Sequence, residues 1–121
     1  MTRERKQLGA YGERIAARYL QEKGYRILKK NYTCPLGELD LVTEKEGCLI
    51  FVEVRTCRGT SFGLPEESVG RVKQRRIRRL AQYYLSAIGY PERAVQFDLV
   101  AVQINREKGH VEEIRHLEGV F

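Results

Sequence analysis

Residues 37–56 read GELDLVTEKEGCLIFVEVRT, a pattern that predicts a β-hairpin carrying acids. In the first arm, residues 37–43, alternation puts Glu38, Asp40 and Val42 on one face and Leu39 and Leu41 on the other. The second arm, residues 48–56, is more apolar. There Leu49, Phe51, Glu53 and Arg55 point one way, and Ile50, Val52 and Val54 the other. Between them Glu44-Lys45-Glu46-Gly47 is a short polar turn closed by a glycine that tolerates positive φ.

A strand apolar on both faces belongs in the middle of a sheet, where an ionised carboxylate is costly unless a cation or donor compensates it. Glu53 is therefore the residue that needs a reason. Pairing the arms through the turn brings Asp40 near Glu53, with Arg55 one step further along the same face. Two carboxylates and a cation at one sheet end suit a hard divalent ion held by oxygen, Mg²⁺ by default. The same residues equally fit an internal salt bridge from Glu53 to Arg55 or Lys45 on a half-exposed strand.

A chain of 121 residues is expected to form one domain over residues 1–121, with room for a single core. Its 42% hydrophobic and 31% charged content is that of a globular protein and excludes a disordered or fibrous one. Cys34, Cys48 and Cys57 are odd in number, irregular in spacing and without a CxxC pair, and only His110 and His116 could join them. A zinc centre and a disulfide framework are both disfavoured, and free thiols are expected. The first twenty residues hold no uninterrupted apolar region, and no run elsewhere is long enough to cross a membrane. A reducing cytoplasm is the expected location.

Charge is most informative when located. The chain carries 22 Lys and Arg against 16 Asp and Glu, a net +6. Residues 71–79, RVKQRRIRR, contain six bases and no acid, so the whole excess sits there. Their helix, expected to begin near Gly70 and run to Ile88, has an apolar stripe of Ile77, Leu80, Ala81, Tyr84 and Ile88. Arg71, Arg75, Arg78 and Arg79 lie opposite, and Arg76 flanks the stripe. Lys73 falls on the stripe in the first turn, so its ammonium has to reach past the helix end. Such a single-sign face is either a solvated surface or a site for an anionic partner. Nucleic acid, most of all DNA, fits Arg71, Lys73, Arg75, Arg76 and Arg78 better than lipid does, because the helix needs its apolar stripe for the core.

The other elements are simpler. A first helix over residues 8–23 has Leu8, Tyr11, Ile15, Ala16, Tyr19 and Leu20 on one stripe and stops at Gly24. Glu13 lies at the flank of that stripe, where it either reaches the sheet edge or pairs with Arg14, Arg18 or Lys23. Residues 25–32 form a short strand, and residues 57–65 a loop beside Arg55 that could act as a substrate lip. Residues 94–104 and 110–117 are two further strands. Asp98, a second buried acid, reads best as bonded to backbone or to a base at a strand end.

In order, Glu13, then GELDLV with Asp40, FVEVRT with Glu53 and Arg55, the KQRR helix start and QFDLVAV resemble the YraN-like uncharacterised bacterial proteins. These are related to archaeal Holliday junction resolvases within the PD-(D/E)XK nuclease superfamily. The resemblance runs from Leu8 to Phe121. It implies a restriction-endonuclease-like α/β fold, a central mixed sheet flanked by helices in the order α-β-β-β-α-β-β. It further implies a catalytic set of Glu13, Asp40, Glu53 and Arg55. Mg²⁺, or Mn²⁺, would be held by Asp40, Glu53 and the Val54 carbonyl, with Glu38 or Glu13 supporting a second ion. The implied activity is metal-dependent DNA phosphodiester hydrolysis at branched structures, by a symmetric homodimer. The family's basic residue is usually lysine, whereas here it is Arg55, which stabilises charge but does not give up its proton. Two other readings stay open, a non-catalytic DNA-binding module of the same fold and a protein-interaction domain whose basic helix meets an acidic partner.

Overall fold

The acidic hairpin forms the middle of a five-stranded sheet. A computed structural model describes residues 3–59, 69–90 and 92–121. Its elements are α1 (Arg3–Glu22), β1 (Arg26–Cys34), β2 (Gly37–Lys45), β3 (Cys48–Arg58), α2 (Arg71–Ile88), β4 (Val95–Ile104) and β5 (Val111–Leu117). The strands lie in the order β1-β2-β3-β4-β5, antiparallel except for the central β3–β4 pair. This mixed sheet, with one helix against each face, is the restriction-endonuclease-like arrangement the sequence implied. No helix among the described residues is long and apolar enough to cross a membrane.

Alternation along β3 builds two cores. Ile50, Val52 and Val54 pack with Val100, Val102 and Ile104 under Ala16, Ala17 and Leu20 of α1. Leu49 and Phe51 pack with Phe97 under Ile77, Leu80, Ala81, Tyr84 and Leu85 of α2. Each large side chain so buried contributes roughly 1.5–3 kcal/mol. Glu53 continues the α2-facing row, so the fold places a carboxylate where the pattern asks for an apolar residue.

Several boundaries differ from the sequence reading, each for a local reason. The hairpin turn is only Glu46-Gly47, both at positive φ of 52° and 79°, which is the two-residue geometry that matches strand twist. Glu44 and Lys45 therefore belong to β2. Leu39 packs with the α2-side cluster and Leu41 with the α1-side one, and the β2–β3 ladder ends between them, at Leu41↔Val52. Opposite that point Asn31 of β1 has φ of 52°, breaking the alternation of β1. α1 begins five residues earlier than its apolar stripe suggested. β3 runs on through Arg58, so the expected lip loop is strand at its start, and its residues 60–65 lie outside the described ones. In α2, Leu85 is buried, whereas Ile88 at the helix end is exposed before Gly89 closes the helix at φ 83°.

One glycine sets how closely α1 approaches β3. A Cβ built on Gly12 would overlap the Thr56 hydroxyl and come within 2.8 Å of Thr56 Cβ. A larger residue would force the helix off the strand that carries Glu53. Gly12→Ala should cost about 1–3 kcal/mol, read as a lower urea midpoint. Gly9→Ala, with nothing within 4 Å of the added carbon, should be neutral or gain up to about 1 kcal/mol. Equal midpoints for the two variants would show that α1 does not depend on this contact.

Candidate metal and phosphate site

Where β2 parts from β3, the Val54 N–H has no carbonyl opposite it in the ladder. Asp40 supplies the acceptor, with Oδ2 2.8 Å from the Val54 nitrogen. The same carboxyl is hydrogen-bonded to Glu53. Burial, followed by the charge of Glu53, pushes Asp40 up to about 8. Burial also raises Glu53, opposed by Arg55, by the hydrogen bond from Asp40 and by Arg76.

Glu53 Oε1 meets two cations. Lys73 Nζ lies 3.2 Å away, and Arg55 Nη2 lies 3.4 Å away. Both side chains are half-buried. Glu13, from the third turn of α1, faces the same place, and its carboxyl is raised by burial and by Glu38 and Glu53 while a hydrogen bond with Asn31 lowers it. These groups line an open cleft of about 790 Å³ between the N-terminal half of α1, the end of β3 and the start of α2. Its acids are Glu13, Glu38, Asp40 and Glu53, and its bases Arg5, Arg55, Arg58, Lys73 and Arg76.

The donor set fits a hard divalent cation. Its side-chain donors are carboxyl oxygens, and burial raises both Asp40 and Glu53, so a cation bound there would compete with protons for the same oxygens. The sequence-derived residues Glu13, Asp40, Glu53, Val54, Arg55, Lys73 and Arg76 converge on this one cleft. Arg71, Arg75 and Arg78 do not line it and are exposed along α2, with the Arg78 guanidinium 5.1 Å from the Phe97 ring centre. Glu53 does form the salt bridge to Arg55 that the sequence allowed; Lys45 instead sits over the Tyr25 ring. Arg5 was missed. It shares a helical face with Gly9 and Glu13 at four-residue spacing, a signal hidden because the first turn of α1 was not expected to be helix.

Asp98 belongs to a different structure on the α1 side of the sheet. Its Oδ2 accepts from Tyr25 (3.1 Å) and faces His116 Nε2 (2.7 Å), and its Oδ1 accepts from Gln96 (2.8 Å) and the Gly119 N–H (3.0 Å). Burial would raise this carboxyl, but the hydrogen bonds from His116, Gly119 and Gln96 outweigh it and hold it low. Lys23 Nζ lies 2.7 Å from His116 Nδ1, and the single Tyr25 hydroxyl proton lies between Asp98 and Glu118 Oε1, the latter 2.8 Å from the hydroxyl oxygen. Asp98, His116 and Glu118 have ligand atoms within 4.8 Å of one another. Asp98 is nevertheless surrounded by protein donors, so the group is a clamp that ties Tyr25, just ahead of β1, and the C-terminal residues to β4.

Comparison with known proteins gives one consistent family. The model of the uncharacterised protein family UPF0102 matches residues 12–102. A UPF0102 protein of Moorella thermoacetica is 45% identical over 121 residues, covering 100% of both chains. One of Syntrophotalea carbinolica is 46% identical over 121 residues, 100% of this chain and 96% of that one. Another, of Caldanaerobacter subterraneus subsp. tengcongensis, is 40% identical over 117 residues, 97% and 96% of the two chains.

Two outcomes follow from the two carboxylate clusters. Burial and the charge of Glu53 push the folded Asp40 up to about 8 from an ordinary value of 3.8. Its stabilising effect is therefore complete below the unfolded value and is lost as pH rises through the folded one. The urea midpoint of the cation-free protein should fall between about pH 5 and about pH 8.5, and MgCl₂ should restore it more at the higher pH. A midpoint with the same pH dependence in Asp40→Asn would rule out Asp40 as its source. Asp98→Ala should cost about 3–5 kcal/mol, because it leaves buried donors unpaired, while Mg²⁺ binding measured by calorimetry stays unchanged.

Proposed function

The chain belongs to the UPF0102 family, and we propose that it is a Mg²⁺-dependent phosphodiester hydrolase acting on DNA. The observation that carries this reading is the Asp40–Glu53 carboxyl pair, set in a cleft whose wall also carries Glu13, Glu38 and the bases Arg5, Arg55, Arg58, Lys73 and Arg76. Asp40 also closes the backbone ladder at Val54, but the fold does not need a second carboxyl, Glu53, beside it, where an apolar residue would continue the buried row. A divalent ion and an anionic substrate make use of the pair.

In this reading Asp40, Glu53 and the Val54 carbonyl hold the ion, with Glu13 and Glu38 at the cleft wall available to a second. When bound, Mg²⁺, or Mn²⁺ in its place, polarises a phosphoryl oxygen and acidifies water. The chain's own groups do the rest. Arg55 Nε is buried with no hydrogen-bond partner among the described residues, and a phosphoryl oxygen would satisfy it and gain charge stabilisation as the reaction proceeds. Arg76 at the cleft, with Arg71, Arg75 and Arg78 along α2, positions the sugar-phosphate backbone without reading sequence. The water oxygen forms the new bond to phosphorus and the sugar oxygen leaves, giving a phosphomonoester and an alcohol. A symmetric dimer would supply the paired cuts that a branched substrate such as a four-way junction needs.

A second reading rests on the two cations at Glu53 Oε1. They neutralise that carboxylate without a metal, as a binding module requires. Labelled four-way-junction, duplex and single-stranded DNA, incubated with Mg²⁺, Mn²⁺ or chelator, separates the two. Cation-dependent cutting is expected, lost by at least about 10²-fold in Glu53→Gln with DNA affinity retained. Salt-sensitive binding without cutting on every substrate would replace the hydrolase by the module.

A further inference from the structure

Lys73 is placed against its local interest. It lies in the first turn of α2, where no acid and no side-chain cap offset the positive helix end. It also occupies the buried stripe, one turn before Ile77, and is only half-exposed. Its Nζ and Arg55 Nη2 both point at Glu53 Oε1. Either cation alone would neutralise one carboxylate oxygen. The two differ in what else they can do, since a guanidinium is a rigid planar fork and an ammonium is a compact group with three freely turning donors.

We propose that Lys73 is a catalytic residue of the hydrolysis, its ammonium donating to the attacking water once Glu53 has turned to a divalent cation. The inference rests on the phosphodiesterase reading above and assigns the division of labour within it. Arg55 stays on the phosphoryl oxygens, and Lys73 orients the water and offsets the charge growing on its oxygen. That oxygen bonds to phosphorus, the sugar oxygen leaves with the electron pair of the broken bond, the water proton goes to solvent, and the leaving oxygen takes one from solvent. Lys73 is an ammonium before and after.

The geometry also makes Lys73 a competitor of the metal, because both use Glu53 Oε1. Removing its charge should therefore slow cutting and tighten metal binding, two effects that a merely structural lysine would not combine. Single-turnover cleavage, DNA affinity and Mn²⁺ calorimetry on the DNA-free protein test this in Lys73→Gln, Lys73→Arg and, as a control away from the cleft, Arg79→Gln. Lys73→Gln should cut at least about 100-fold more slowly, with DNA affinity changed far less, and bind Mn²⁺ at least about threefold more tightly. Lys73→Arg should keep wild-type Mn²⁺ affinity yet remain slow, and Arg79→Gln should leave Mn²⁺ affinity unaltered. Adding Arg55→Lys to Lys73→Gln should recover at least about tenfold in rate, because an ammonium then reaches the same oxygen. Undiminished cutting by Lys73→Gln, or slower cutting with weaker Mn²⁺ binding, overturns the role of Lys73 and leaves the hydrolase reading standing. Wild-type protein that cuts none of the DNA substrates overturns that reading, and the role of Lys73 with it.

Discussion

The Val54 N–H donates to a carboxylate where a strand would normally offer it a carbonyl, and the cleft depends on that exchange. It lets β2 leave β3 after Leu41↔Val52 without stranding a buried backbone donor. The gap so opened is where Glu53 faces the cations instead of another strand. Asp40 thus has two jobs, closing the end of a ladder and facing Glu53 in the cleft. The second is possible only because the first fixes its side chain.

The helices complete the site from opposite faces of the sheet. α1 comes close because Gly12 has no side chain to hold it off Thr56, and that approach brings Glu13 and Arg5 over the end of β3. α2 leans its apolar stripe on Phe51 and Leu49 while its first turn sends Lys73 and Arg76 into the same cleft. The apolar packing that holds the two helices is also what aims their charges. At the other end the Asp98 clamp performs a purely mechanical task with similar residue types. The difference between the clusters is the count of donors, with His116, Gly119 and Gln96 on Asp98 against a single backbone N–H and a neighbouring acid on Asp40.

Much of this was legible because period-2 and period-3.6 patterns report faces directly. The hairpin, the placement of Asp40 near Glu53, and the reach of Lys73 past its stripe all follow from spacing. Leu39 did not follow, since it lies where β2 has already parted from β3, and spacing alone does not show where a ladder ends. The partners of Asp98 were unreadable for another reason. Tyr25, His116 and Gly119 lie 73, 18 and 21 residues away in the chain, and no local period links them. Arg5 was hidden by an ambiguous helix start, and residue spacing alone did not decide whether Glu13 faced solvent or the sheet.

The parallel pairing of β3 with β4 sets an order in time. The hairpin joins residues close in sequence, whereas Glu53↔Leu99 and the Lys73 contact need a long crossover to close. Early in folding, Asp40 and Glu53 face water as two ionised acids on a young hairpin. They become a costly pair only as α2 and β4 arrive and shut water out. Whatever neutralises them is thus taken up as α2 and β4 close over the hairpin, so the charge state of the cleft is settled during folding and not after it.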